Sequence, residues 1–284
     1  MTWLITGARG QVGSEILRLA ADRGIAIRGV GRGDLDITDR EAVARAVTGA
    51  SLIINAAAYT DVDRAEDQPD IAFATNRDGP GSIAAACMTH RIPLLHISTD
   101  FVFDGREHSV YREADPVSPL NVYGASKAAG EDAVRERLHS HIILRTSWVF
   151  SPRGRNFVTS IIAAARKFQM VSVVDDQRGS PTAATDIAAA VLSMAQAVQD
   201  SEFDRWGTYH FCGTPAVTRY DFATAVLRDR PDAELRRIKS SAYQTKAARP
   251  ANVVLDCTRA RETFGLTQPS WEIALSAMRA ELGP

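Results

Sequence analysis

Short apolar runs alternate with amphipathic stretches through the first half of the chain. Residues 3–6, 25–30, 51–55, 94–98 and 142–145 are compact apolar runs and predict strands, while 12–23, 40–47 and 71–91 space their apolar positions as helices do. Thr38 and Glu41 stand at capping-box spacing ahead of the second helix. Strands joined by helical crossovers give parallel pairing, so the pattern predicts an α/β fold with a doubly wound parallel sheet of the Rossmann kind.

Beyond residue 150 the rhythm changes. Pro152, Gly154, Gly179, Pro181, Gly213 and Pro215 punctuate shorter elements, which predicts a second, smaller and discontinuous lobe. Residues 183–198 are rich in alanine and apolar side chains and are expected to return to cover the sheet, and 270–282 reads as a terminal helix with an apolar stripe. The expected division is a dinucleotide-binding domain over 1–150, rejoined by 183–212, and a substrate-binding C-terminal lobe over 151–182 and 213–284.

Composition narrows the function. Among 284 residues, 33 basic side chains nearly cancel 34 acidic ones, so no broad attraction to nucleic acid or to an anionic membrane is expected and an anionic ligand must be held locally. Cys87, Cys212 and Cys257 are far apart and form no CxxC spacing, which suits a reducing cytoplasm. The apolar start ends at Gly7, Arg9 and Gly10, too soon for a signal peptide or a membrane span. The six histidines are scattered and no HExxH occurs, so no catalytic transition metal is implied; a G-x-S-x-G elbow and a Walker lysine are also absent.

Gly7, Gly10 and Gly13 form a G-x-x-G-x-x-G run between the first strand and the first helix. In that setting the glycines allow a tight turn, close approach of a pyrophosphate to the backbone beside Gln11 and Val12, and close packing of helix on sheet. The second strand ends Val30-Gly31-Arg32 with no acidic residue among these three, so a 2′-phosphate is tolerated and Arg32 or Arg9 could pair with it; both could equally be solvated surface residues. NADPH is the expected cofactor, with NADH the alternative. Asp36 and Ile37 stand close enough to border the adenine. Ala56, Ala57 and Ala58 are small enough to admit cofactor, or simply pack tightly.

Tyr123 and Lys127 share one face of a helix expected to begin near Asn121. A nearby ammonium would lower the phenol's pKa and bring Tyr123 towards proton exchange at neutral pH, although the same spacing occurs on solvated helix faces. Ser98, Thr99 and Asp100 end the fourth strand, where ligands meet parallel sheets, so the Thr99 hydroxyl could bind a ketone beside Tyr123 or merely finish the strand.

Together these segments resemble the extended short-chain dehydrogenases/reductases, and within them the dTDP-4-dehydrorhamnose reductases. The resemblance runs through Gly7 to Gly13, Asn55-Ala-Ala-Ala-Tyr-Thr60 with Val62 and Asp63, and Ser98-Thr-Asp-Phe-Val-Phe-Asp-Gly105. It continues through Pro119-Leu-Asn-Val-Tyr-Gly-Ala-Ser-Lys127, Leu144-Arg-Thr-Ser-Trp-Val149, Pro181-Thr182 and Arg249-Pro250. It implies reduction of a nucleotide-activated 4-keto deoxysugar with Thr99, Tyr123 and Lys127 as the catalytic set, Lys127 also binding the nicotinamide ribose. Val62, Phe103 and Trp148 are implied to line the sugar pocket, with Phe101 standing where the family usually has tyrosine. Arg249 and the loop around Asp176 are expected either to grip the diphosphate or to form interface salt bridges. Some members are dimers bridged by Mg2+ on three glutamates. Glu15 and Glu281 could supply two, but Thr185 stands at the third place, leaving monomer and homodimer open. The alternatives are another 4-keto sugar as substrate, or a nonenzymatic nucleotide-binding regulatory subunit.

Overall fold

The computed structural model describes residues 2–106, 110–230 and 233–282. The first half runs β1 (Thr2–Thr6), α1 (Gln11–Asp22), β2 (Ile27–Val30), α2 (Arg40–Val47), β3 (Ala50–Asn55), α3 (Val62–Ala65), α4 (Pro69–Phe73), α5 (Gly79–His90), β4 (Leu94–Thr99), α6 (Val122–Arg137) and β5 (His141–Thr146). The second half adds β6 (Val149–Phe150), α7 (Phe157–Lys167), β7 (Met170–Val174), β8 (Arg178–Gly179), β9 (Thr182–Ala183), α8 (Ala184–Ala197) and β10 (Gly207–His210). It closes with β11 (Val217–Thr218), α9 (Arg219–Val226), β12 (Glu234–Ile238), α10 (Thr258–Phe264) and α11 (Trp271–Leu282).

Six parallel strands form the central sheet in the order β10-β5-β4-β3-β1-β2. Period-two alternation sorts their side chains between two cores. Ile5, Leu52, Ile54, Leu95, Ile142 and Leu144 join one cluster with Ile16 of α1 and Val191 of α8; Leu4, Ile53, Leu94 and Ile143 join the other with Val43 of α2, Ile83 of α5 and Val134 of α6. Helices α1 and α8 thus cover one face while α2, α5 and α6 cover the other. β10 pairs with β5, so residues 184–210 pack on the sheet. A third cluster, including Phe150, Val158, Phe222, Trp271 and Leu275, holds α7, α9 and α11 together beside the β7–β12 pair.

Three boundaries differ from the sequence pattern. β2 starts at Ile27 because Gly24 adopts a left-handed φ of 66° and the Ile25 N–H bonds back to Ala20 O at 2.9 Å, closing α1. Thr38 does not cap α2: its N–H and hydroxyl both bond Asp36 Oδ1, and the cap is Asp39, which accepts from the N–H groups of Glu41 and Ala42. Residues 71–91 are not one α-helix, since a π-helical turn over Ala74–Asp78 separates α4 from α5. Among the described residues, no helix is long and apolar enough to cross a membrane.

Candidate active site

The glycine run makes a turn that side chains would obstruct. Gly7 has φ of 73°, and a Cβ there would fall 2.5 Å from the Ala56 backbone; one on Gly13 would fall 2.2 Å from Gly7 O. Gly10 precedes α1 without a side-chain cap, so the N–H groups of Gln11, Val12 and Gly13 form an uncapped helix start suited to an anion. Gln11 also ties this helix to the segment after β6, accepting from Ser151 Oγ at 2.9 Å and Asn156 Nδ2 at 3.0 Å.

At the end of β2 the surroundings are mixed. Arg9 is exposed over Gly31 and pairs with Asp34 at 3.3 Å, and Asp34 also accepts the Gly31 N–H at 2.8 Å. The sequence reading overlooked Asp34 because it lies four residues beyond the strand end; the turn brings it back. Arg32 is exposed, Asp36 is held below the usual carboxylate range by its bonds from Thr38, and Ile37 is buried against Gly79. Ala56, Ala57 and Ala58 are half-buried just past β3.

At the carboxyl end of β4, Thr99 donates to Asp100 Oδ1 at 2.9 Å and accepts the Phe101 N–H at 3.2 Å. Asp100 also accepts from Ser147 Oγ at 2.7 Å. Burial pushes its carboxyl up to about 6, against the bonds from Ser147 and Thr99. Asn121 caps α6, accepting the Gly124 N–H at 2.7 Å. A Cβ on Gly124 would meet Phe101 O at 2.2 Å, so this glycine lets the first turn of α6 close onto β4. Tyr123 is thereby brought beside Thr99, with the Phe101 ring edge-on at 5.7 Å.

Lys127 is buried one turn further, where its Nζ donates to Ile97 O at 2.8 Å and lies 3.4 Å from His96 Nε2. Burial pulls the ammonium down to about 8, against the pull of Glu131. Tyr123 moves opposite to the sequence expectation: burial pushes its phenol up to about 12, and the Asp100 carboxylate outlying it adds to this against the Thr99 hydroxyl. Lys127 is not among the groups that act on the phenol.

The hydrogen bonds around Asn55 orient His96, which the sequence reading missed. Asn55 Oδ1 accepts the Ala57 N–H at 3.1 Å and the Thr6 hydroxyl at 2.6 Å, so its amide nitrogen must face His96 Nδ1, 2.9 Å away. His96 is fully buried and held uncharged by burial and by Lys127. Its Nδ1 is therefore the acceptor and its proton sits on Nε2, facing the lysine. An N–H aimed at Nζ favours the uncharged amine, in the same direction as burial.

Residues 1–283 match the family model described as RmlD substrate binding domain. The chain is 39% identical to a dTDP-4-dehydrorhamnose reductase of Aggregatibacter actinomycetemcomitans, covering 98% of each, and 35% identical to that of Escherichia coli K12, covering 99% and 98%. This chain belongs to the dTDP-4-dehydrorhamnose reductase family. Solved reductases superpose along almost the whole length. That from Clostridium acetobutylicum has a TM-score of 0.94 at 32% identity, and that from Bacillus anthracis, solved in complex with NADP, 0.91 at 32%; each comparison covers 99% of both chains.

The residues that the reductase resemblance implies do not all converge. Trp148 is nearly buried behind the site with a left-handed φ of 43°, Phe101 and Val62 are half-buried at its rim, and Gly179 packs directly on the Trp148 indole. Phe103 is fully buried, stacked on Tyr111 at 4.2 Å, and has no exposed face for a sugar. Arg249 is held by a two-pronged bond to Asp63, at 2.7 and 2.6 Å, which leaves it in the salt-bridge role rather than free for phosphate. Asp176 is engaged by the Ser240 N–H and hydroxyl.

The Mg2+ expectation of this reductase family is not met within the chain. Glu15 and Glu281 line one cavity of about 360 Å³ with Thr185, but Arg18 binds Glu15 at 2.9 Å and Arg153 approaches it at 3.8 Å. Among the described residues, no group of three or more His, Cys, Asp or Glu side chains is placed to hold a metal ion.

Proposed function

We propose that this chain reduces the 4-keto group of dTDP-4-dehydro-β-L-rhamnose to dTDP-L-rhamnose, with NADPH as the hydride source and Tyr123 as the proton donor. The observation that carries the proposal is the meeting of Thr99, Tyr123 and Lys127 at the carboxyl end of β4, in a chain whose relatives carry that activity in their names. Residues 1–150 with 183–212 serve as the cofactor domain, and 151–182 with 213–284 as the substrate lobe, in the cytoplasm.

The glycine turn fits a dinucleotide because no Cβ blocks its approach and the start of α1 offers unengaged N–H groups. Gly7, Gly10, Gln11, Val12 and Gly13 would hold the pyrophosphate, Arg9 and Arg32 the 2′-phosphate, Asp36 and Ile37 the adenine edge, and Lys127 the nicotinamide ribose. The relative solved with NADP supports NADPH. When bound, the reduced nicotinamide supplies hydride.

Thr99 and Tyr123 orient the ketone oxygen by hydrogen bonds. With its phenol near 12, Tyr123 keeps its proton at neutral pH, so it acts as an acid, and it remains far more acidic than the sugar hydroxyl being formed. Lys127, near 8, can return a proton to Tyr123 after each turnover. Tyr123→Phe is expected to bind NADPH normally while turnover falls by at least about 100-fold, followed by NADPH absorbance with product sugar analysis. Unchanged turnover would remove Tyr123 from the acid role. Phe101 motivates a second reading, another nucleotide-activated 4-keto sugar, because its ring brings no hydroxyl to the pocket; a substrate panel separates the two.

A further inference from the structure

Arg219, which no sequence motif singled out, opens α9 directly after the capping residue Thr218, and its own N–H donates to Gln177 O at 3.0 Å. Its guanidinium lies 3.6 Å over the Trp148 ring and 4.9 Å from that of Phe157. Burial pulls it down to about 9. Asp100 acts on it electrostatically, but the Asp100 carboxylate takes its hydrogen bonds from Thr99 and Ser147 and forms no salt bridge with it. Among the described residues, no carboxylate pairs with the Arg219 guanidinium and no acceptor receives a hydrogen bond from it.

A half-buried guanidinium without a partner loses part of its hydration uncompensated, and stacking on an indole offsets this only in part. The other two arginines near the site avoid the problem, Arg145 through Glu131 and Arg249 through Asp63. The stack also fixes the plane of the Arg219 fork, which presents paired N–H donors in the geometry that phosphate oxygens match. Of the parts of the substrate proposed above, only the diphosphate carries charge; the sugar hydroxyls would leave the cation uncompensated.

We infer that Arg219 receives the diphosphate of the nucleotide-sugar substrate, held in place by the Trp148 indole. This rests on the proposed function, because it takes the substrate to be a nucleotide diphosphate sugar. It assigns to Arg219 one of the two roles that sequence reasoning left open for Arg249.

The test measures dTDP affinity by calorimetry and turnover with NADPH for the wild type, Arg219→Met and Arg219→Lys. Methionine keeps much of the packing on Trp148 without the charge, and lysine keeps the charge without the fork. For Arg219→Met, the dissociation constant of dTDP and KM should both rise about 10- to 100-fold, while kcat stays within about threefold and NADPH affinity is unchanged. Arg219→Lys should recover part of the loss, and the rise of KM with salt should flatten in Arg219→Met. Unchanged dTDP affinity in Arg219→Met, or a fall in kcat alone, overturns the inference while leaving the reaction standing. Equal losses in both variants would mean that the positive charge contributes nothing to holding dTDP and would also overturn it. A wild-type protein that binds NADPH but neither binds dTDP nor turns over would instead sink the proposed function, and the inference with it.

Discussion

Beneath β4 and β5, Arg145 is almost wholly buried and gives Glu131 two hydrogen bonds, at 2.9 and 2.6 Å; Ser98 and Arg135 each add one at 2.6 Å. Beside Trp148, Arg219 has aromatic rings but, among the described residues, no acceptor. The same side chain thus serves two ends. Where the fold supplies the anion, the cation belongs to the framework. Where it supplies only a surface to lie on, the cation is left for something that enters. Lys127 falls between them, with one carbonyl and a neutral imidazole for company.

This contrast can be broken by stability measurements. Glu131→Gln should lower the unfolding free energy by about 3–5 kcal/mol in urea titrations, because it strips the anion from Arg145 and leaves a buried charge unmatched. A loss under about 1 kcal/mol would mean that the junction is no framework element. Lys127 should give an intermediate effect that depends on pH. Its folded pKa of about 8 lies below the ordinary 10.5, so between those values the unfolded chain holds a proton that the folded chain has released, and stability must rise with pH across that window. The rise from this group amounts to at most about 3 kcal/mol, and Lys127→Met should lack it; parallel pH curves for the two proteins would contradict the assignment. Arg219→Met should change stability least, by under about 1 kcal/mol, since no partner is orphaned. A larger loss would show that Arg219 is structural after all.

What the sequence made legible was local. Strand runs, the glycine turn and the Asn121 helix start depend on short-range geometry that composition and spacing encode, and the parallel sheet follows from their alternation. Features set by residues far apart in the chain were not legible. The two roles open to Arg249 were decided only by Asp63, far back in the chain, which takes both its prongs, and Phe103 looked like pocket until Tyr111 covered it. Arg219 carried no signal at all, because its meaning depends on Trp148 arriving beneath it. The direction of the Tyr123 shift failed for a related reason: spacing placed a lysine nearby, but could not show the burial that dominates the phenol. At α2 the error was one residue, with Asp39 outcompeting Thr38 for the cap because Thr38 was already bonded to Asp36.

The π-helical turn over Ala74–Asp78 places Asn76 where its side chain holds both the N–H and the carbonyl of Tyr59, at 2.8 and 3.0 Å, and donates to Ser126 of α6 at 2.9 Å. Gly130 of that helix rests on the Asn76 carbonyl, where a Cβ would fall 1.9 Å away. Chain length is therefore a functional quantity at this spot. Removing one residue from the turn would restore an uninterrupted α-helix, a gain by local propensity, yet would take away the widened turn that presents Asn76. Ser126 would lose its partner, and the helix carrying Tyr123 would lose its floor. For anyone redesigning this enzyme, smoothing the irregular helix is the change to avoid, although it looks harmless in an alignment.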